Sequence, residues 1–235
     1  GGGRFSFSYR NVFQALFVNG GTNYSRSWRN MLYGYDYRGI MSVKTAIDQP
    51  TSSERFGVNI NASKGLNFWS ATVRASGEYH TGKSELLIQD SVFLIRSQGY
   101  NVNGSFNMVP LSFAGLTYSL SWYRNKSYKV DNPKSFSPIH AISQDVKINF
   151  FPTKTLTVNF GFEHQYNSAA NPRFTYFSDG GVKYKYKQWD LELVMQNLFN
   201  AKQYVSASNS DVSTYFYSYN LRPASVLLKV RFKLK

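Results

Sequence analysis

The residues of this chain best suited to acid–base or metal chemistry are three histidines, His80, His140 and His164, and a scatter of carboxylates. No two of the histidines stand at a metal-ligand spacing, and the chain has no cysteine. A His-Glu-x-x-His pair, a Gly-x-Ser-x-Gly elbow and a phosphate-binding glycine loop are all absent from the sequence. Glu78, His80 and Glu85 lie close together in sequence near one expected loop. They would form an acid–base set only with partners from facing loops, for which Asp131 and Asp179 are the candidates. His164 falls on the apolar register of its segment near one end and reads as an interfacial residue. The pattern points to no catalytic residue, cofactor site or metal site.

Other charged residues follow a stricter rule. In "GGVKYKYKQWDLELVMQNLFN" (180–200), Lys183, Lys185 and Lys187 and then Asp190 and Glu192 alternate with Val182, Tyr184, Tyr186, Trp189, Leu191, Leu193 and Met195. A period of two is the signature of a strand with one charged and one apolar face. A two-residue turn at 187–188 sets Tyr186 opposite Trp189, Lys185 opposite Asp190, Tyr184 opposite Leu191 and Lys183 opposite Glu192. Opposite charges facing across a ladder contribute roughly 0.2–1 kcal/mol each, and a one-residue slip would put charge on the apolar face. Lys183 with Glu192 and Lys185 with Asp190 are therefore expected as structural ion pairs.

The same alternation runs along the chain, as in "TLTVNFGFEHQY", "LTYSLSWY", "FGVNINAS" and "LLKVRFKLK". It predicts an all-β fold of about ten antiparallel strands near 12–31, 52–64, 67–80, 91–108, 114–128, 138–151, 154–167, 173–187, 189–200 and 219–235. The last strand sets Leu228, Val230, Phe232 and Leu234 against Lys229, Arg231, Lys233 and Lys235. Connections alternate between tight turns and longer segments at 32–51, 80–91, 129–138, 167–172 and 201–218, and all seven prolines sit in or beside connections. The opening "GGG" reads as a turn or a truncation point rather than a phosphate cradle.

Mean hydropathy is −0.39, so no stretch suits a membrane helix, but a membrane barrel is compatible because half of each strand faces water. Strands this long match a tilted bilayer crossing. Aromatics gather near both strand ends, with Phe68, Trp69, Phe150, Phe151, Tyr186 and Trp189 at the short-turn rim and Tyr79, Trp122, Tyr123 and Tyr166 at the other. The expectation is a transmembrane β-barrel segment over 1–235, treated as a single region, with short periplasmic turns and long extracellular loops. Its polar face would line the lumen and its C-terminus would be periplasmic. Net charge is +14, but the basic residues are dispersed and no nucleic-acid-binding module is present, so no nucleic-acid partner is expected. A basic loop with Lys126, Lys129 and Lys134 instead suits lipopolysaccharide phosphates. Tyr215, Tyr217 and Tyr219 in "STYFYSYN" suit stacking on a substrate, or an aromatic girdle.

At "LELVMQNLFNAKQY" and "YSYNLRPASVLLKVRFKLK" the sequence resembles the end of TonB-dependent outer-membrane receptors, and more broadly the barrel of the Bacteroidota type that follows a carboxypeptidase-regulatory-like domain. The resemblance rests on Asn197, Leu198, Phe199, Asn200 and Tyr204, and on Arg222 and Pro223 before the last strand. It implies a larger plugged barrel in the Gram-negative outer membrane, of which this chain is the C-terminal portion. The partners it implies are membrane lipid, a plug domain, the TonB complex and a scarce nutrient such as an iron chelate, cobalamin or a glycan. The plug, the TonB box and the usual terminal Phe of proteobacterial members are not in this sequence. The alternative is a self-contained small outer-membrane barrel, either an omptin-like protease or a structural protein.

Overall fold

The computed structural model describes residues 1–38, 41–134, 137–209 and 214–233. Period-two alternation becomes fifteen strands among them: β1 (Gly2–Asn11), β2 (Leu16–Arg29), β3 (Leu32–Arg38), β4 (Met41–Ile47), β5 (Thr51–Leu66), β6 (Ala71–Ile88), β7 (Ser91–Leu111), β8 (Ala114–Lys129), β9 (Ile139–Thr153), β10 (Leu156–Asn167), β11 (Phe174–Tyr186), β12 (Trp189–Gln196), β13 (Gln203–Asn209), β14 (Thr214–Asn220) and β15 (Ser225–Phe232). The fold is all-β. One ladder path runs β1-β2-β5-β6-β7-β8-β9-β10-β11-β12-β15, and every step along it is antiparallel. Among the described residues no ladder joins β1 to β15. The β3–β4 hairpin pairs in parallel with the end of β6, and β13–β14 forms a separate two-stranded sheet.

The expected strands appear with shifted ends, and five more are present. Gly2 and Gly3 open β1 rather than a turn, with Phe5, Phe7 and Tyr9 on its apolar face. The 80–91 segment is not a long loop. β6 runs through it to Ile88 and meets β7 through Gln89 and Asp90, both at positive φ (49° and 61°), the geometry a tight hairpin turn requires. Pro110 and Pro152 lie inside β7 and β9, each at a register irregularity, so the missing N–H falls where the ladder is already interrupted. Leu234 and Lys235 lie outside the described residues.

Register sorts the side chains of the central rows into two faces. On one face, successive partners across the sheet are Phe7, Gly20, Ile60, Gly77, Val102, Trp122, Ile142, Tyr166 and Phe174. On the other, one row reads Ser8, Asn19, Asn61, Ser76, Asn103, Ser121, Ser143, Gln165 and Thr175. The apolar face is not folded inward onto a core. Phe160 and Phe232 remain 42% and 47% exposed, Leu156 and Leu191 are half-buried, and the buried apolar side chains are a scatter of Leu32, Leu87, Ile95, Ile139 and alanines. The accessible surface is 15872 Å2 for 26.9 kDa, where a compact monomer of that mass exposes about 10,800 Å2.

Aromatic pairs mark both ends of the apolar face. Phe68 meets Trp69, Phe113 meets Phe150 and Trp189 meets Phe232 at the short-turn rim, while Tyr79 meets Tyr100 and Tyr166 meets Phe174 toward the other. The β3–β4 hairpin is held at the latter rim by a close approach that requires glycine. A Cβ on Gly34 would lie 1.9 Å from the Leu87 carbonyl oxygen. Gly34→Val is expected to detach this hairpin, making 30–50 cleavable by limited proteolysis while the β signal in circular dichroism persists.

Candidate functional site

The polar face carries the groups able to bind a ligand. Its central row is built from amides and hydroxyls because each strand contributes a short polar residue at the same height. Asn61 Nδ2 donates to Asn19 Oδ1 (3.1 Å), Asn103 Nδ2 to Ser76 Oγ (3.4 Å) and Ser121 Oγ to Asn103 Oδ1 (2.8 Å). A groove of 460 Å3 lies along this row, with Phe17 and Arg74 at its margin.

The β13–β14 hairpin lies against this same face. Asn167 Nδ2 donates to the Ala207 carbonyl at 3.0 Å, Tyr123 Oη reaches the same oxygen at 3.5 Å, and the Tyr204 and Phe177 rings stand 6.3 Å apart. Tyr123, Asn167 and Phe177 all belong to the polar register, so the chain between β12 and β15 folds back over the polar face of the sheet. Ala207 is fully buried in this contact. Sequence reasoning read 201–218 as an irregular loop. The alternation in "TYFYSYN" was the available signal, but its docking depends on Asn167 and Tyr123, distant in sequence.

The Asn-Leu-Phe-Asn segment forms the clasp at the base of that hairpin. Asn197 and Asn200 both adopt φ of 52°, a left-handed turn that asparagine tolerates better than most residues. The Asn197 side chain donates to the carbonyls of Ala201 (2.8 Å) and Arg222 (2.7 Å) and accepts from the Ala201 N–H (2.8 Å). Its own N–H donates to Asp179 Oδ1 (2.7 Å), while Asn200 Oδ1 accepts from the Ala224 N–H (3.2 Å). Leu198 N–H bonds the Ser178 carbonyl at 2.7 Å, and Phe199 sets its ring edge-on to Phe162. Two asparagines thus join the outgoing and returning ends of the excursion. Arg222 contributes its carbonyl to this network, and Pro223 follows it into β15.

The charged hairpin keeps the expected register, Lys183 opposite Glu192 and Lys185 opposite Asp190. The closest ion contacts of the acids nevertheless run to the other neighbouring strand. Lys229 Nζ lies 4.0 Å from Glu192, and Lys233 Nζ lies 3.3 Å from Asp190. β12 is an acidic strand between two basic ones, so each carboxylate has cations on both sides and its shortest contact falls on β15.

Tyr215, Tyr217 and Tyr219 recur at every second position of β14, exposed, opposite Ser208, Ser206 and Tyr204. Tyr219 and Tyr204 stack with centroids 6.4 Å apart. The acid–base candidates are not gathered. Glu78 and His80 share the polar face, Glu85 is on the opposite face, and Asp179 is engaged by Asn197. His80 lies against Gly99, where a Cβ would come within 2.1 Å of its ring. His164 stacks on Tyr176 at 5.0 Å, on the apolar face. Among the described residues, no group of three or more His, Asp or Glu could hold a metal ion.

No protein-family model matches this chain, and no curated protein matches it. The side chains therefore carry the functional argument.

Asn197→Gly keeps the positive φ while removing the clasp's side-chain contacts. It is expected to cost about 1–3 kcal/mol and to release 201–224 to protease before the remaining sheet unfolds in a denaturant series.

Proposed function

We propose that this chain is wall and loop of a TonB-dependent outer-membrane transporter, a binding and conduit module without catalysis. The observation that carries the reading is an uncovered apolar face, continuous along the ladder path, backed by a polar face onto which the chain lays its own hairpin. A soluble sandwich or small soluble barrel has the reverse arrangement, apolar face in and polar face out. Strands of 12 to 21 residues from β5 to β11 exceed what a tilted strand needs to cross a bilayer, roughly 9–11 residues. The aromatic pairs at both ends suit headgroup depth. The Asn197 and Asn200 clasp gives a physical role to the residues on which the family resemblance rests.

In this reading the wall separates a wet pathway from lipid, with its C-terminus on the periplasmic side. A plug domain and the TonB-contacting segment come from sequence outside these 235 residues, and further strands pair with the β1 and β15 edges. The inward hairpin narrows the pathway from the extracellular rim, and Tyr215, Tyr217 and Tyr219 offer flat faces to a chelate, cobalamin or sugar ring. The nutrient is large enough to need such a gate. Uncharged amides and hydroxyls below the hairpin let it pass without being held by ion pairs.

Two measurements test this. In lipid vesicles, Phe160→Arg is expected to destabilise the folded wall by about 2–4 kcal/mol, while Asn159→Arg next to it changes stability by no more than about 0.5 kcal/mol; equal effects would remove the lipid-facing assignment. In the full-length parent, deleting 201–218 is expected to impair nutrient binding or uptake while heat-modifiable gel mobility, the sign of assembly, is retained. Unchanged substrate affinity would take the hairpin out of the transport mechanism.

A further inference from the structure

Toward the loop rim, the apolar face ends in charge. Arg26, Glu54, Lys83, Arg96 and Tyr128 are successive ladder partners on β2, β5, β6, β7 and β8. Arg26 is neutralised by Glu54 at 3.2 Å. Lys83 lies between Glu54, whose ion contact goes to Arg26, and Arg96, where cation stands against cation. β8 adds two more on the same face: Lys126, over the Tyr128 ring at 4.7 Å, and Arg124, opposite Tyr100. Lys83, Arg96 and Arg124 are exposed, and among the described residues no ion pair reaches any of the three. The carboxylates nearest Lys83 on this face are Glu54, its partner on β5, which is engaged by Arg26, and Glu85 on β6, opposite Leu94.

Like charges facing across a ladder destabilise it, so this arrangement calls for an anion. Side chains of directly opposed residues start about 4.5–5.5 Å apart, within reach of a single phosphate, and the next strand lies about 4.8 Å further on. Arginine presents a planar fork matched to phosphate oxygens, and lysine adds a point charge. What lies below the cations decides what carries the phosphate. Two rows down are Tyr79 and Tyr100, rings 4.9 Å apart, and one row further Val102 and Trp122. A free anion would leave that apron bare.

We infer that Lys83, Arg96 and Lys126 bind the phosphate of an outer-leaflet glycolipid whose acyl chains lie on Tyr79, Tyr100, Val102 and Trp122, with Arg124 beside Tyr100. The site rests on the membrane reading above and gives it a defined lipid contact. It differs from the basic loop expected from sequence. Only Lys126 is shared, and Lys129 points to the polar face, over Phe93.

The test inserts the full-length parent into phosphatidylcholine vesicles containing either bis-phosphorylated or dephosphorylated lipid A and measures lipid retained after extraction. Wild type is expected to retain the phosphorylated form selectively, and Lys83→Gln with Arg96→Gln to lower that retention by about tenfold or more, the scale of losing charge-assisted contacts. Lys154→Gln with Lys187→Gln, which removes equal charge at the short-turn rim, is expected to leave it unchanged. In pure phosphatidylcholine the Lys83/Arg96 variant should unfold at the same temperature as wild type or higher, since a repulsion is gone; a lower midpoint would contradict the unpaired-cation premise. Insertion with equal retention by all three proteins overturns this site alone, whereas failure to insert overturns the membrane reading beneath it. If millimolar inorganic phosphate displaces the glycolipid completely, the site is one for free phosphate and the lipid assignment falls.

Discussion

Every structural feature of this chain follows from one constraint: consecutive side chains on a strand point in opposite directions, while the backbone groups between them must bond to neighbouring strands. Eleven strands satisfy that second requirement by antiparallel pairing, and in doing so they sort their side chains into a greasy sheet face and a wet one. A globular protein would close the greasy face on itself or on a second layer. Here it stays open, and the surface exceeds that of a compact monomer by nearly half. Phe160, Val230 and Phe232 are left exposed, and in the proposed membrane reading hydrocarbon covers them, a solvent that needs no polar groups in return.

Under the proposed reading the polar side is the interior, and its contents acquire meaning. A row of Asn, Ser, Gln and Thr crosses nine strands at one height, charge is concentrated nearer the short-turn rim on β11, β12 and β15, and the β13–β14 hairpin occupies the opposite end. Water-exposed ion pairs such as Lys229 with Glu192 contribute little net stability. In the proposed transporter they keep carboxylates neutralised along the pathway. The clasp at Asn197 and Asn200 acts differently, because it fixes where a long excursion leaves the wall and where it returns.

Most of the wall could be read from sequence because alternation is local. Lys183 through Glu192 specified their own register, and the observed pairing agrees residue for residue. What escaped depends on partners far away in the chain. β1 was obscured by its glycines, although Phe5, Phe7 and Tyr9 alternate. The tall β6–β7 hairpin was obscured because Thr81, Lys83 and Glu85 put polar residues on the apolar face near its loop end. The inward fold of β13–β14 needed Asn167 and Tyr123, and the switch of Asp190 to Lys233 needed the identity of β12's second neighbour. In the Asn-Leu-Phe-Asn segment, composition marked the place, while its role emerged from positive φ and the hydrogen bonds to Ala201, Arg222 and Ala224.

The central claim is the orientation of the two faces, and a spin-label scan along β10 from Leu156 to Asn167 in lipid vesicles tests it most directly. Collision with oxygen, which concentrates in hydrocarbon, is expected to peak at Leu156, Val158, Phe160 and Phe162, and collision with a water-soluble nickel chelate at Thr157, Asn159, Gly161 and Glu163. The opposite phase, or no alternation, would contradict a wall with its apolar face against lipid.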